Sequence, residues 1–531
     1  MENFYYYVST KSGCDPVKTI FLCVPQEYAY TEELCKKYAE ESGWIKQVEE
    51  DGSLLIVPCS NDWKNENRDL LVKIYNTKRN SFFAPSGKSI PGRDGIVWTW
   101  ETLLYLVGYK QGGDYAGDVL VKHPNKFAAT ALIDGKASDF SFKDSKSDHW
   151  LVDNPKDYHL QNKDIPVALW LFNEEDNFQD TLNYFKMTNS VIDMHKTIID
   201  GMETKVYTNS KNNAEEIRVS NCLDDGLAST IMHQFFNHVI RWKNSPDGEL
   251  KYKMGKNDFY NKDKYKHHNL LIDGNNYHYA VYLPKDIKKE KMPVVFSIHG
   301  RGEPTWIFAE KNGWEELADK TNEFIVVFPD SPQNIWNFER DFNVIPKIID
   351  DLNIKYDIDN ERIYLSGFSN GAVFTDQVAS TYPYLFAAAS PWNGPSIEAC
   401  KNIHNIGSYV FKPEFENGEY EMPFWTVVGD SDNKAGMYRE DELEIILKAN
   451  HCKKENEVIL DKDNFYKKEN GYKENDRFMT RSFKNEDGVE MVCLTIMKNM
   501  PHGAIADESL AAWNFMRKFK RVNKDNKVQL I

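Results

Sequence analysis

Ser369 stands in the pentapeptide Gly367-Phe368-Ser369-Asn370-Gly371, after Arg362-Ile363-Tyr364-Leu365-Ser366 and before Ala372-Val373-Phe374-Thr375-Asp376-Gln377-Val378-Ala379. The first flank reads as a short buried strand and the second as a helix. Gly-x-Ser-x-Gly between a strand and a helix is the setting of a strained turn that holds a serine out at the carboxyl edge of a parallel sheet. Glycines suit it because a side chain there would collide with the neighbouring strand and helix. The same five residues also occur in ordinary strand-to-helix turns, so the partners of the serine decide what the turn is for. A serine hydroxyl is a weak nucleophile near pH 7. It needs a base within hydrogen-bond reach, an acid to orient that base, and N–H donors for the oxyanion.

Candidates for each role follow along the chain. The apolar run Phe424-Trp425-Thr426-Val427-Val428 reads as a buried strand that exits into Gly429-Asp430-Ser431-Asp432-Asn433. A carboxylate at the carboxyl end of a strand is placed to orient a base, and Asp430 and Asp432 both qualify, though aspartate also favours turns for its own sake. Val489 to Met497 reads as a strand that follows an Asn485-Glu486-Asp487-Gly488 hairpin turn and ends in Lys498-Asn499-Met500-Pro501-His502-Gly503. His502, in a loop before the last helix, is the candidate base; its rival, His451, reads as a solvated residue capping a charged helix. The oxyanion donors expected are the backbone N–H of Asn370 and one from His299-Gly300-Arg301-Gly302-Glu303, directly after the strand Val294 to Ile298. Arg301 is the first choice there and Gly300 the second, with His299 a structural residue of the turn. Trp306, Trp336, Phe368 and Trp392 are candidates to line a cleft, the alternative being core packing.

These loops need a parallel sheet behind them, and strands alternate with helices along the whole chain. Strands are expected at Phe4 to Thr10, Lys18 to Val24, Leu54 to Pro58, Leu104 to Val107 and Ala128 to Ile133, with helices over Thr31 to Glu41 and beginning at Trp98 to Leu103. The second half repeats the order with strands at Tyr277 to Leu283, Val294 to Ile298 and Phe324 to Pro329, a helix at Asn343 to Asn353, and then the Ser369 turn. Spaced identities recur as well. Pro124, Phe127-Ala128-Ala129 and Gly135 match Pro383, Phe386-Ala387-Ala388 and Gly394 at one offset, which also lays Gly108-Tyr109-Lys110-Gln111-Gly112 on the serine pentapeptide. This pattern predicts a tandem duplication of a whole α/β domain, 1–243 and 269–531, joined by a polar linker at 244–268 that opens with Asn244-Ser245-Pro246-Asp247-Gly248. An amphipathic helix from Ala228 to Trp242 is expected to mirror Ser509 to Phe519.

Bulk composition narrows the partners. The 531 residues are 41% hydrophobic and 27% charged, with a net charge of -16, which points away from nucleic acid or an anionic membrane as the main partner. No apolar run reaches the length of a membrane span, and the start, Met1-Glu2-Asn3-Phe4, lacks the pattern of a secretion signal, so the expectation is a cytoplasmic protein. The 8 cysteines are scattered without metal-ligand spacing, and Cys23 and Cys493 read as buried reduced thiols. No metal or cofactor is expected, and the sequence says nothing of the oligomeric state.

Residues 270–520 resemble the polyhydroxybutyrate depolymerase and feruloyl esterase group of α/β-hydrolases, of the carbohydrate-esterase type. The resemblance lies in Ile298-His299-Gly300, Trp314-Glu315-Glu316-Leu317-Ala318, Phe324-Ile325-Val326-Val327-Phe328-Pro329, Asp359 to Gly371, and Tyr382-Pro383-Tyr384-Leu385-Phe386-Ala387-Ala388, in the family's order. It implies two tandem α/β-hydrolase-like domains and a serine ester hydrolase in the second. The family's acid lies in a Gly-x-x-Asp loop, which selects Asp432, so the implied set is Ser369, Asp432 and His502. Ala372 and Val428 depart from the family where glycine and histidine are common, leaving open hydroxyalkanoate, feruloyl, acetyl or other short acyl esters. In the first half the serine position holds Lys110, the oxyanion loop is Pro25-Gln26-Glu27, an acid survives only within Asn173-Glu174-Glu175-Asp176, and Asn221-Cys222-Leu223-Asp224-Asp225 has no histidine. That half is expected to be a degenerate, non-catalytic domain that scaffolds or shapes a substrate site. A serine peptidase of the same fold, or a non-catalytic tandem module that binds a polymer or glycan, are the alternatives.

Overall fold

The computed structural model describes residues 3–13, 15–85, 95–147, 160–173, 178–221, 226–242, 248–252, 259–260, 263–286, 291–395, 406–408, 410–430, 432, 440–461, 478–498, 500 and 502–531. The chain divides into two compact units, Met1–Gly255 and Lys256–Ile531. No helix among the described residues is long and apolar enough to cross a membrane.

The first unit is built on β1 (Phe4–Val8), β2 (Val17–Cys23), β3 (Leu54–Pro58), β4 (Thr99–Tyr109), β5 (Ala129–Ile133), β6 (Leu169–Phe172), β7 (Asp193–Ile199), β8 (Met202–Thr208) and β9 (Ile217–Ser220). Their order across the sheet is β1-β3-β2-β4-β5-β6-β9-β8-β7. The run from β3 to β9 is parallel, while β1, β8 and β7 pair antiparallel at the two sides. A short ribbon of β10 (Val239–Trp242) and β11 (Glu249–Tyr252) completes the unit.

The second unit has β12 (Tyr265–Ile272), β13 (Asn275–Tyr282), β14 (Met292–Ile298), β15 (Ile325–Asp330), β16 (Ile358–Phe368), β17 (Ala388–Trp392), β18 (Phe424–Gly429), β19 (Val458–Leu460), β20 (Phe478–Lys484) and β21 (Glu490–Met497). Their order is β12-β13-β15-β14-β16-β17-β18-β21-β20-β19. Strands β15, β14, β16, β17, β18 and β21 form its parallel centre. A ribbon of β22 (Phe519–Lys520) and β23 (Gln529–Leu530) closes the chain. In each unit the parallel centre visits its strands in the same sequence, with an antiparallel strand beside it: both are α/β-hydrolase-like sheets flanked by helices. The central strands are buried on both faces, as β14 and β17 are along their whole length, which is why they read as unbroken apolar runs instead of alternating ones.

The internal fastenings repeat too. Tyr105 donates to Val239 O at 2.8 Å in the first unit, and Tyr364 donates to Phe519 O at 2.8 Å in the second. Arg241 and Arg521 are both buried and spend their guanidinium groups on backbone carbonyls. Arg241 donates to Phe127, Gly248 and Pro166, and Arg521 to Phe386, Asp525 and Glu421. Burial lowers Arg521 to a pKa of about 10, still charged at neutral pH.

Three expectations need correction. Trp98 to Leu103 does not begin a helix: Thr99–Tyr109 is one strand, consistent with its β-branched and aromatic residues and with the pairing of Val17 to Thr99. The stretch Ala228 to Trp242 is not a single helix. An α-turn at Leu227–Ile231 widens into a π-turn at Met232–Phe236, and Val239–Trp242 is a strand whose partner is Glu249–Tyr252. The polar stretch 244–268 therefore contains β11 and the start of β12, and the division falls between them at Gly255 and Lys256. The Asn244 to Asp247 part of the turn lies outside the described residues.

Replacing Arg521 with Met leaves the carbonyls of Phe386, Glu421 and Asp525, the first two of them interior, without their donor. The expected loss is about 3–5 kcal/mol of stability, read by urea denaturation followed through tryptophan fluorescence; a loss below about 1 kcal/mol would mean that other donors take over.

Candidate active site

The strand order of the second unit reverses between β14 and β16, so the loops leaving their carboxyl ends part to opposite sides and open a crevice. Both carry candidate residues. Beyond β16, Ser369 has φ 56° and ψ −118°, a region costly for any residue with a side chain. The helix Asn370–Thr381 starts immediately and is buried along most of its length. Two glycines permit this. A Cβ on Gly371 would overlap the carbonyl oxygens of Ile298 and His299, and one on Gly367 would overlap the Gly371 carbonyl and the Thr375 hydroxyl. The turn is tight because strand, helix and the β14 exit loop all meet at one point.

The structure brings Ser369, His502 and Asp432 into one hydrogen-bonded line. Ser369 Oγ lies 2.8 Å from His502 Nε2, and His502 Nδ1 lies 2.7 Å from Asp432 Oδ2. A carboxylate can only accept, so the proton belongs on Nδ1, and the Nε2 lone pair then faces the serine hydroxyl. Asp432 is buried while Ser369 and His502 are half-buried. Phe368 lies against the imidazole, ring centres 5.0 Å apart, and limits where it can turn. Asp430 takes no part in this line; its N–H donates to Met497 O and ties the end of β18 to that of β21. His451, past the helix Glu440–Ala449 and in a left-handed conformation, is an exposed capping residue.

The β14 exit loop lies beside the serine. The nearest approach is at Gly300, where a Cβ would come within 3.3 Å of Ser369 Cβ and closer still to Phe368. Asn370 opens its helix, so its N–H belongs to the first turn and has no carbonyl of that helix to bond. Its side chain is fixed by a two-way exchange with the Trp336 backbone, at 2.7 and 3.1 Å. His299 is fully buried, with Nδ1 2.7 Å from Gly300 O and Nε2 accepting from Ser331 N–H at 3.1 Å. Burial lowers its pKa to about 4, so it is a neutral turn residue and not a second base. Glu303 and Lys311 form a buried ion pair at 2.7 Å, and the ammonium sits 4.4 Å from the centre of the Phe368 ring.

The aromatic candidates divide. Trp336 is fully buried, donating to His299 O and stacking on Phe374, and Trp392 is fully buried, donating to Ser390 Oγ and stacking on Trp314. Neither lines an open cleft: Trp336 is packed beneath the strand ends, and Trp392 is the last residue of β17 itself. Trp306 is nearly covered on the helix Thr305–Lys311, and Phe368 is the one in contact with the imidazole. Two residues escaped the sequence reading. Asn393, the left-handed residue after β17, bonds both the acid and the base loops, and Glu508 receives one of its bonds. The only signal for Asn393 was its place between Trp392 and Gly394 at a strand end.

The first unit keeps the turn with a lysine in place of the serine. Lys110 occupies the serine position with φ 51° and is exposed. Gly112 meets the carbonyls of Cys23 and Val24 as Gly371 meets those of Ile298 and His299. Trp63 donates to Val24 O as Trp336 does to His299 O, which aligns Gln26 with Arg301. Glu174 to Asp176 and Cys222 to Asp225 lie outside the described residues.

Residues 277–404 match the family model described as Esterase PHB depolymerase. Similar curated proteins include the bifunctional acetylxylan esterase/xylanase XynS20E of Neocallimastix patriciarum, 33% identical over 121 residues, 22% of this chain and 18% of that protein. Poly(3-hydroxyalkanoate) depolymerase C of Paucimonas lemoignei is 30% identical over 116 residues, 19% of this chain and 28% of that protein. The chain thus spans less than a third of the length of either relative. Among solved structures, an acetyl xylan esterase from Aspergillus awamori aligns with TM-score 0.36 and 15% identity over 47% of this chain and 98% of its own. The ferulic acid esterase AmCE1/Fae1A from Anaeromyces mucronatus aligns with TM-score 0.32 and 16% identity over 48% and 88%. The second unit resembles the depolymerase and carbohydrate-esterase group of α/β-hydrolases.

The two aspartates of the β18 loop separate by experiment. Asp432→Asn is expected to lower kcat by about three to four orders of magnitude, because an amide can force the wrong tautomer on His502. Asp430→Asn is expected to stay within a few-fold of the parent. Steady-state kinetics on p-nitrophenyl acetate decides, and the reverse ranking would reassign the acid.

Proposed function

We propose that the second unit is a serine carboxylic-ester hydrolase that works through an acyl-enzyme. The observation that carries this reading is the line Ser369 Oγ, His502 Nε2, His502 Nδ1, Asp432 Oδ2, with both contacts under 3 Å and the serine on a strained turn. In the acylation step Ser369 Oγ attacks the ester carbonyl carbon and its proton passes to His502 Nε2. Asp432 holds the imidazole in the required tautomer and stabilises the imidazolium that forms. The backbone N–H groups of Asn370 and Arg301 receive the charge that develops on the carbonyl oxygen. His502 then gives the proton to the leaving alkoxide oxygen, and the alcohol departs. Water, deprotonated by His502, repeats the sequence on the acyl-enzyme and releases the acid.

The named activities of these relatives, acetylxylan esterase and poly(3-hydroxyalkanoate) depolymerase, support acetyl and hydroxyacyl esters as the first substrates to try. The first unit, on this reading, is a non-catalytic copy of the same fold. Lys110 supplies an amine in place of the hydroxyl, and the Gln111 side-chain oxygen lies 3.5 Å from the Gln26 N–H, the counterpart of the Arg301 donor.

A panel of p-nitrophenyl acetate and butyrate, acetylated xylan, methyl ferulate and a 3-hydroxybutyrate oligomer tests the reading. Turnover is expected on at least the activated esters. Ser369→Ala and His502→Ala should each lower kcat by at least about 10⁴-fold, and Lys110→Ala should leave it within a few-fold. No turnover by the parent would favour a binding module. Turnover in Ser369→Ala that vanishes only when Lys110 is also replaced would assign chemistry to the first unit.

A further inference from the structure

The base and the acid come from different loops, and a buried carboxamide outside the triad joins those loops. Asn393 ends β17 at φ 48° with its side chain fully buried. Its N–H donates to Val427 O at 2.8 Å, as a continuation of the sheet. Its Oδ1 accepts from Gly429 N–H at 2.7 Å, and its Nδ2 donates to Gly503 O at 2.8 Å and to Glu508 Oε1 at 3.2 Å. Gly429 starts the acid loop, its carbonyl accepting from the N–H of Asp432 at 3.2 Å. Gly503 directly follows His502. Glu508 is held in turn by the N–H of Ile505 at 2.8 Å, in the cap of the last helix.

We propose that Asn393 is a positioning residue: it fixes the spacing of the Asp432 and His502 loops, so that the imidazole meets the carboxylate and the serine together. This rests on the esterase reading above. The chemistry selects the residue type. The backbone conformation favours Gly, Asn or Asp. Of those, only Asn accepts from one loop and donates to the other through one planar group; an Asp carboxylate accepts only, and would face the Gly503 carbonyl and the Glu508 carboxylate. The first unit supplies the contrast. Asp134 stands at the equivalent place, with φ 49° and its N–H on Phe172 O at 2.8 Å. The backbone geometry is common to both copies, whereas the carboxamide accompanies the copy that has Ser369, His502 and Asp432.

Asn393→Asp and Asn393→Gly both suit the backbone, so the fold is expected to survive. Two readouts are taken on parent and variants: the rate of Ser369 labelling by a fluorophosphonate, and kcat and KM on p-nitrophenyl acetate. Labelling and kcat should fall by about 10–100-fold in each variant with KM within about 3-fold, since positioning acts on the reacting geometry and not on substrate binding. Parental labelling and kcat in a folded variant, or a change confined to KM, would overturn the positioning role alone. So would failure of both variants to fold, which would make Asn393 structural. A parent that is not labelled at Ser369 would overturn the esterase reading, and the positioning role with it.

Discussion

A serine at φ 56°, ψ −118° persists only when the elements around it leave no other course for the chain, and in this protein that constraint is steric. The helix Asn370–Thr381 lies so close to the ends of β14 and β16 that Gly367 and Gly371 have no room for a Cβ. With those elements fixed, the hydroxyl is presented at the sheet edge and its exit path is set. The same packing brings Gly300 against Ser369, so the serine and the β14 exit loop are placed by one contact region. The geometry around Ser369 is thus made from core packing, which is rigid, and not from a loop's own preferences.

The loops of Asp432 and His502 obey a second constraint of the same kind. A Cβ on Gly429 would overlap the Met500 carbonyl, so the acid loop starts directly against the base loop. Asn393 bonds both, and Phe368 covers one face of the imidazole. Four strand ends, β14, β16, β18 and β21, therefore deliver their loops to one place, and the parallel sheet is the part that makes them adjacent.

The centre of the fold was legible because its signals are local, and the three residues that meet in one hydrogen-bonded line, Ser369, His502 and Asp432, were all candidates from the sequence. Buried parallel strands are apolar runs, and the serine turn carries its glycines in sequence. The order of Ser369, the β18 carboxylates and His502 suggested the other two candidates, although the choice of Asp432 over Asp430 came from resemblance and not from local chemistry. The misreadings have physical reasons. Thr99 to Leu103 mixes residues without a clean period, and its pairing to β2 decides for strand. Val239–Trp242 continues a helical pattern in sequence, yet its ribbon partner β11 and the bond from Tyr105 to Val239 hold it extended. Trp336 and Trp392 read as loop residues that could line a cleft, but Trp392 is the last residue of β17, and burial depends on what lies across the sheet, which no local window contains. Asn393 was invisible for the same reason: its partners are 36 and 110 residues away.

The two units share a backbone framework and differ in the side chain at its turn. Both keep the left-handed turn residue, the packed glycine after it, the strand order and the buried arginine, while the hydroxyl is present in one only. The most direct test of the account is capture of the covalent intermediate. Parent protein is mixed with p-nitrophenyl acetate, quenched in acid within the first turnovers, digested, and its peptides are weighed. The account predicts one acetyl group on the peptide that contains Ser369, absent from Ser369→Ala. Hydrolysis with no acetylated Ser369, or with the acetyl group on the Lys110 peptide and its loss abolishing turnover, would contradict it.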